Sequence, residues 1–312
     1  MKVTLDISRL VEDGNLTHEE ADRLKKLAAH DTGQLGINIV IGFAVVAIAL
    51  SAIALMPKPV TAITLGLGLL PTGCAILLAR VQRLIVPGQI CLMIGALTFA
   101  GGVVAQGEGS LTSMVTVTAA FAIAAVAARS SLLAALSVLT ASACLGADTG
   151  YVHASYFLGI PEPTLTVVLF SVLALIAWQG SKLLSSAYER LAITVARTSL
   201  LLVNFGFWIG SLWGDRLSLL RGIDRSTWSG PPPVPSELFV VLWAIVLVGA
   251  GVWAARVNRR WVVNLVAIFG GIHFYTQWFE RLGATPGSML TGGLLLLGVG
   301  AALAMLRTRS RA

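Results

Sequence analysis

The sequence predicts an all-α fold: a polytopic transmembrane helix bundle of about ten spans, with both termini inside and a short N-terminal cytoplasmic helical hairpin. Three observations predict it. Hydrophobic residues fill 56% of the 312 positions and charged residues only 12%, against about 25% charged in an ordinary soluble domain. Mean hydropathy is +0.84. The apolar residues also gather into runs of roughly 20, the length a helix needs to cross about 30 Å of hydrocarbon. In lipid such a run pairs its own backbone polar groups only as a helix.

Residues 1–33 are the one sizeable segment ahead of the first apolar run, and they predict a helical hairpin distinct from the bundle at 34–312. Leu5, Ile7, Leu10 and Val11 suggest a short first helix ended near Gly14. Thr17-His18-Glu19-Glu20 then has the form of a capping box, in which Thr17 and Glu20 satisfy each other's backbone amides. Ala21, Leu24, Leu27 and Ala28 follow on one face, and Lys25, Lys26 and His30 suit the helix C-terminal dipole. A polar, mixed-charge opening of this kind predicts no cleavable signal peptide.

The spans are expected at 35–56, 60–79, 84–104, 111–128, 131–147, 163–180, 191–214, 238–256, 261–279 and 287–306. The fourth and fifth are short and separated only by Arg129-Ser130-Ser131, so a single re-entrant unit would lower the count to eight or nine. The net charge of +7 would suggest an anionic partner in a soluble protein. Here the basic residues sit in short links. Lys25, Arg80, Arg83, Arg129, Lys182, Arg190, Arg256, Arg259, Arg260 and Arg307 share the side of the N-terminus, and Lys58, Arg216, Arg221, Arg225 and Arg281 lie opposite. The positive-inside rule makes the richer side cytoplasmic. A bacterial inner membrane, lipid as the main partner and no nucleic acid are the expectations. Pro71 and Pro87-Gly88 read as breaks in the second and third spans, and no convincing internal repeat matches them. In the long outer loop 215–237, LSLLRGI reads as a short interfacial turn, Trp228 as a headgroup-level anchor, and Pro231-Pro232-Pro233 as a stiff lead-in to the eighth span.

Two spans carry polar faces. Along the seventh, Arg197, Asn204, Trp208, Ser211 and Asp215 fall near one line, while Gly206, Gly210 and Gly214 repeat on the opposite side. The glycines read as a helix-packing face. Arg197 either snorkels to the headgroups or meets an anionic solute, Asp215 reads as sitting in the outer headgroups, and Asn204 with Trp208 marks mid-membrane. Along the ninth, His273, Gln277 and Glu280 share a face, with Tyr275 and Trp278 nearby. That cluster is either an aromatic belt with an interhelical hydrogen bond or a water-accessible ligand pocket. Arg197, Asn204, Trp208, His273, Gln277 and Glu280 are therefore the candidate ligand-binding residues. No acidic residue is expected at mid-membrane depth, which weakens the case for ion-coupled transport. Cys74, Cys91 and Cys144 lie within spans as small apolar side chains, and neither a disulfide framework, a metal site nor a cofactor is predicted. Hydrolase motifs are absent, so no catalytic residue is assigned.

Leu10-Val11-Glu12-Asp13-Gly14-Asn15-Leu16-Thr17-His18-Glu19-Glu20-Ala21, Gly42, the stretch Asn264–Gly270 and Gly292–Leu295 resemble, in that order, a bacterial family of membrane proteins catalogued as domain of unknown function 2157. The tryptophan that family carries after its first span is replaced here by Met56-Pro57-Lys58-Pro59. The resemblance implies location and architecture and carries no catalytic residues. Together these readings favour a non-enzymatic interaction or regulatory protein that docks a cytoplasmic or membrane partner through residues 1–33, compatible with an oligomer. The alternative is a small-solute transporter with its site between the seventh and ninth spans. An intramembrane enzyme using His273 and Glu280 comes third. Ten spans with both ends inside is also the outline of drug/metabolite-type transporters, by analogy alone.

Overall fold

A computed structural model describes residues 16–79, 84–152, 155–221 and 230–309. The first hairpin helix, Arg80, Arg83, Arg225 and Trp228 lie outside the described residues. Eight of the described helices are long and apolar enough to cross a bilayer, as in a multi-pass membrane protein. Their outward faces are apolar, with Val40, Phe43, Ile123 and Val248 all at least 66% exposed. The chain divides into two compact units, one ending at Thr140 and the other beginning at Ala141.

The first unit opens with α1 (His18–Leu55), which starts on the expected capping box: Thr17 Oγ1 accepts from Glu20 N at 3.3 Å, and Glu20 Oε2 accepts from Thr17 N at 3.0 Å. This helix runs without a break into the first apolar segment, so the second hairpin helix and the first span are one element. α2 (Pro59–Leu78) and α3 (Ile85–Gln106) form the tightest pair. Gly66 and Gly73 on α2 and Gly88, Gly95 and Gly102 on α3 recur every seventh residue, a spacing that keeps them on one seam. A Cβ at Gly66, Gly73, Gly95 or Gly102 would lie 2.5–2.7 Å from atoms of the opposite helix, mostly backbone. The two backbones therefore touch, as small residues permit where no hydrophobic effect drives helices together.

The expected breaks are not there. α2 continues through Pro71. Next to it Thr72 Oγ1 donates to the Gly68 carbonyl at 2.7 Å. Pro87 falls in the first turn of α3, where a missing N–H costs nothing. α4 (Leu111–Ala128) ends on Arg129 in the left-handed region, φ 52°, and the chain turns at once into α5 (Ser131–Ala143). Thr118 Oγ1 donates to Thr140 Oγ1 at 3.1 Å between the two. At 1.5 Å per residue α5 is only about 20 Å long, too short to cross alone. The predicted fifth span over 131–147 is corrected accordingly.

An antiparallel hairpin then interrupts the all-α expectation, β1 (Asp148–Val152) pairing with β2 (Ser155–Gly159) in the register Tyr151↔Tyr156. The second unit continues with α6 (Pro163–Ser181), α7 (Ser186–Trp213), the one-turn α8 (Ser218–Arg221), α9 (Ser236–Arg256), α10 (Arg260–Leu282) and α11 (Pro286–Arg309). α7 packs on α6 and α9, and α10 on α9 and α11. Gly206 lies against Val167 and Thr166 of α6, and Gly210 against the ring of Phe239 on α9. Gly214 follows the last turn of α7 at φ 68°, where a Cβ would sit 2.5 Å from the Val234 carbonyl.

The ends of α6 and α7 are joined by two carboxylates, both essentially inaccessible. Asp215 Oδ2 accepts from Thr164 N in the first turn of α6 at 2.7 Å, and its Oδ1 accepts from Leu217 N at 2.8 Å. Its backbone bridges to Val234. Glu162 Oε1 accepts from Leu219 N at 3.0 Å and from the Ser218 hydroxyl, at the start of α8. Each carboxylate thus caps a helix it does not belong to, where amide donors and dipole both favour negative charge. Asp215 accordingly lies beyond the helix in a buried corner.

Candidate functional site

The polar residues of α7 part company in the structure. The exposed Arg197 guanidinium stands 5.1 Å above the Trp261 ring at the start of α10. Seven residues on, Asn204 is 8% exposed and turned toward α9. Its Nδ2 donates to the Leu200 carbonyl at 2.8 Å and its Oδ1 accepts from Trp243 Nε1 at 3.0 Å. An indole nitrogen only donates, so this contact also determines which way the amide faces. One turn further, Trp208 Nε1 donates to Thr276 Oγ1 of α10 at 3.0 Å. Ser211 returns its hydroxyl to the Trp208 carbonyl.

Trp243 is the hub of this layer and is fully buried. It stacks on Phe207 at 6.4 Å with rings nearly parallel, and it meets the His273 imidazole edge to face at 4.9 Å. Phe269 closes the same layer against Trp243 and Phe205. Such geometry adds about 0.5–1.5 kcal/mol per aromatic pair beyond burial. The arrangement ties α7, α9 and α10 together with two interhelical indole hydrogen bonds and one aromatic cluster.

Beside the cluster, Val240, His273, Phe274, Gln277, Trp278 and Arg281 line an open cleft of about 520 Å³ between α9 and α10. His273 Nδ1 and Gln277 Nε2 are both buried and have no hydrogen-bond partner among the described residues. A buried polar atom without a partner costs about 1–3 kcal/mol. Both residues that carry these atoms line the one cleft. Glu280 is exposed and is not among the cleft's lining residues. Among the described residues no group of His, Cys, Asp or Glu is placed to hold a metal ion.

Of the six candidate ligand-binding residues, the structure gathers Asn204, Trp208, His273 and Gln277 around the α7–α9–α10 layer and leaves Arg197 and Glu280 apart. Trp243 and Thr276 were missed by sequence reasoning. Trp243 is the lone aromatic in an aliphatic run, VVLWAIVLV, which was a usable signal. Thr276 had none, because a hydroxyl in a membrane helix ordinarily bonds its own backbone. Compared with known proteins, the chain matches no family model, no curated protein and no solved structure.

Proposed function

We propose that this multi-pass membrane protein binds a small polar solute in the α9–α10 cleft and works as a transporter-type carrier. One observation carries the reading: His273 Nδ1 and Gln277 Nε2 are buried and unsatisfied, and both belong to residues that line the same cleft. The Gln277 amide needs an acceptor, and Arg281 brings positive charge to the cleft. A small carboxylate-bearing solute suits both, since guanidinium and carboxylate pair bidentately. The membrane is a bacterial inner membrane. The resemblance of residues 10–21 to domain of unknown function 2157 supports this.

The test is solute binding by the purified protein, followed as thermal stabilisation across a panel of small mono- and dicarboxylates. Stabilisation by at least one of them, lost in His273→Ala and Gln277→Ala, is the expected result. No stabilisation by any of them, or the same response in both variants, would overturn the reading. A second reading rests on α1, whose opening stretch HEEADRLKKLAAHDTG is polar and precedes the apolar run. The helical stretch ahead of the membrane offers a docking surface for a protein partner. Deleting residues 1–31 should then abolish function and spare membrane insertion.

A further inference from the structure

At the opposite end of the second unit, a groove of about 470 Å³ runs between α6, α7, α9 and α10. Its wall is almost wholly carbon. Ala174, Leu175 and Leu200 form part of it, and Trp178, Trp253 and Trp261 line it from three different helices. Trp178 and Trp253 meet edge to face at 6.4 Å. A polar solute would find almost nothing there to bond, so the space suits hydrocarbon.

The rim has the opposite character. Lys182 Nζ stands 4.1 Å over the Trp178 ring and donates to Gln179 Oε1, and Arg197 stands over Trp261. Both cations are exposed, and neither makes an ion pair among the described residues. The links at this end, 182–190 and 256–260, add Arg190, Arg256, Arg259 and Arg260 against the single acid Glu189. An apolar slot under an uncompensated basic rim calls for one molecule with a hydrocarbon chain and an anionic head. Tryptophan at headgroup depth fits the same boundary.

We infer that this groove holds an anionic glycerophospholipid of the adjoining leaflet, one acyl chain between the tryptophans and its phosphate at Lys182 and Arg197. Basic recesses between transmembrane helices recognise anionic headgroups in this way, and each Lys or Arg contributes through charge at the membrane surface. The inference is independent of the solute cleft, which is lined by other residues.

The test is lipid retention by the full-length protein, purified from micelles holding equal amounts of phosphatidylglycerol and phosphatidylcholine and read by native mass spectrometry. Two basic groups at the surface predict a preference for phosphatidylglycerol of about thirtyfold. The double variant Lys182→Gln/Arg197→Gln should bring the ratio close to one, and both side chains are exposed, so folding is spared. Ala250→Phe, which fills the groove, should reduce retention of both lipids. Soluble glycerol phosphate should fail to displace the lipid. Equal retention by the wild type, an unchanged ratio in the double variant, full retention in Ala250→Phe, or displacement by glycerol phosphate would each overturn the inference.

Discussion

Replacing Gly95 by alanine puts one methyl group where α2 already stands. The new Cβ would lie 2.6 Å from Leu70 N and 2.9 Å from both the Leu69 carbonyl carbon and the Leu69 Cβ. Two of the three contacts are backbone, so no rotamer change relieves them. Restoring an ordinary 3.4 Å contact requires the helices to part by about 0.8 Å along that line. That movement also loosens the Gly66, Gly73 and Gly102 contacts on the same seam. Overpacking of this kind costs about 1–3 kcal/mol, and the lost dispersion along the seam puts Gly95→Ala at the upper end. The control is on the same helix. Gly101→Ala meets nothing within 4 Å and should be neutral or slightly stabilising, because alanine is the better helix former by up to about 1 kcal/mol. Thermal unfolding of both variants in one detergent, read by circular dichroism, makes the comparison. Equal midpoints for Gly95→Ala and Gly101→Ala would refute the claim that the α2 and α3 backbones are in contact.

Trp243→Phe keeps most of the ring packing but removes the donor to Asn204 Oδ1, and should destabilise by about 1–3 kcal/mol. Adding Asn204→Leu should recover part of the loss, which a double-mutant cycle of unfolding free energies would detect as non-additivity. Asp215→Ala strips the acceptor from Thr164 N and Leu217 N in a buried corner and should cost about 2–4 kcal/mol. Asp215→Asn should cost less, because one carbonyl oxygen still accepts; equal losses would mean the carboxylate caps nothing. The Thr17 amide, and secondarily its hydroxyl, holds the Glu20 carboxyl below its ordinary range. A depressed value means the capping contribution is present at neutral pH and is lost as pH falls through the folded-state value. Amide-exchange protection at Thr17–Ala21 should therefore drop between pH 6 and pH 3 in the wild type and stay flat in Glu20→Ala.

Span positions were largely legible in the sequence because hydrophobic length is a local property. The expected 60–79, 84–104, 111–128 and 163–180 meet helices at Pro59–Leu78, Ile85–Gln106, Leu111–Ala128 and Pro163–Ser181. Alanine and serine over 131–147 read as apolar enough for a span, yet the helix stops at Ala143, and hydropathy alone does not register the β-prone Tyr151, Val152, Tyr156 and Phe157 that follow. The candidate site was legible only in halves. Helical periodicity put Asn204 with Trp208, and His273 with Gln277, but a face does not say which neighbour it meets. That Asn204 answers to Trp243, and Trp208 to Thr276, depends on helix pairings absent from local pattern. The seven-residue glycine spacing was visible in principle, but its meaning depended on knowing that α2 and α3 are partners.

The carboxylate corner also has a consequence for biogenesis. The first-turn amide of α6 at Thr164 is satisfied by Asp215, 51 residues later in the chain. While the ribosome is still making α7, that end of α6 has no protein acceptor and must draw on water. The corner therefore closes only when α6, α7 and the loop carrying Val234 have all been made.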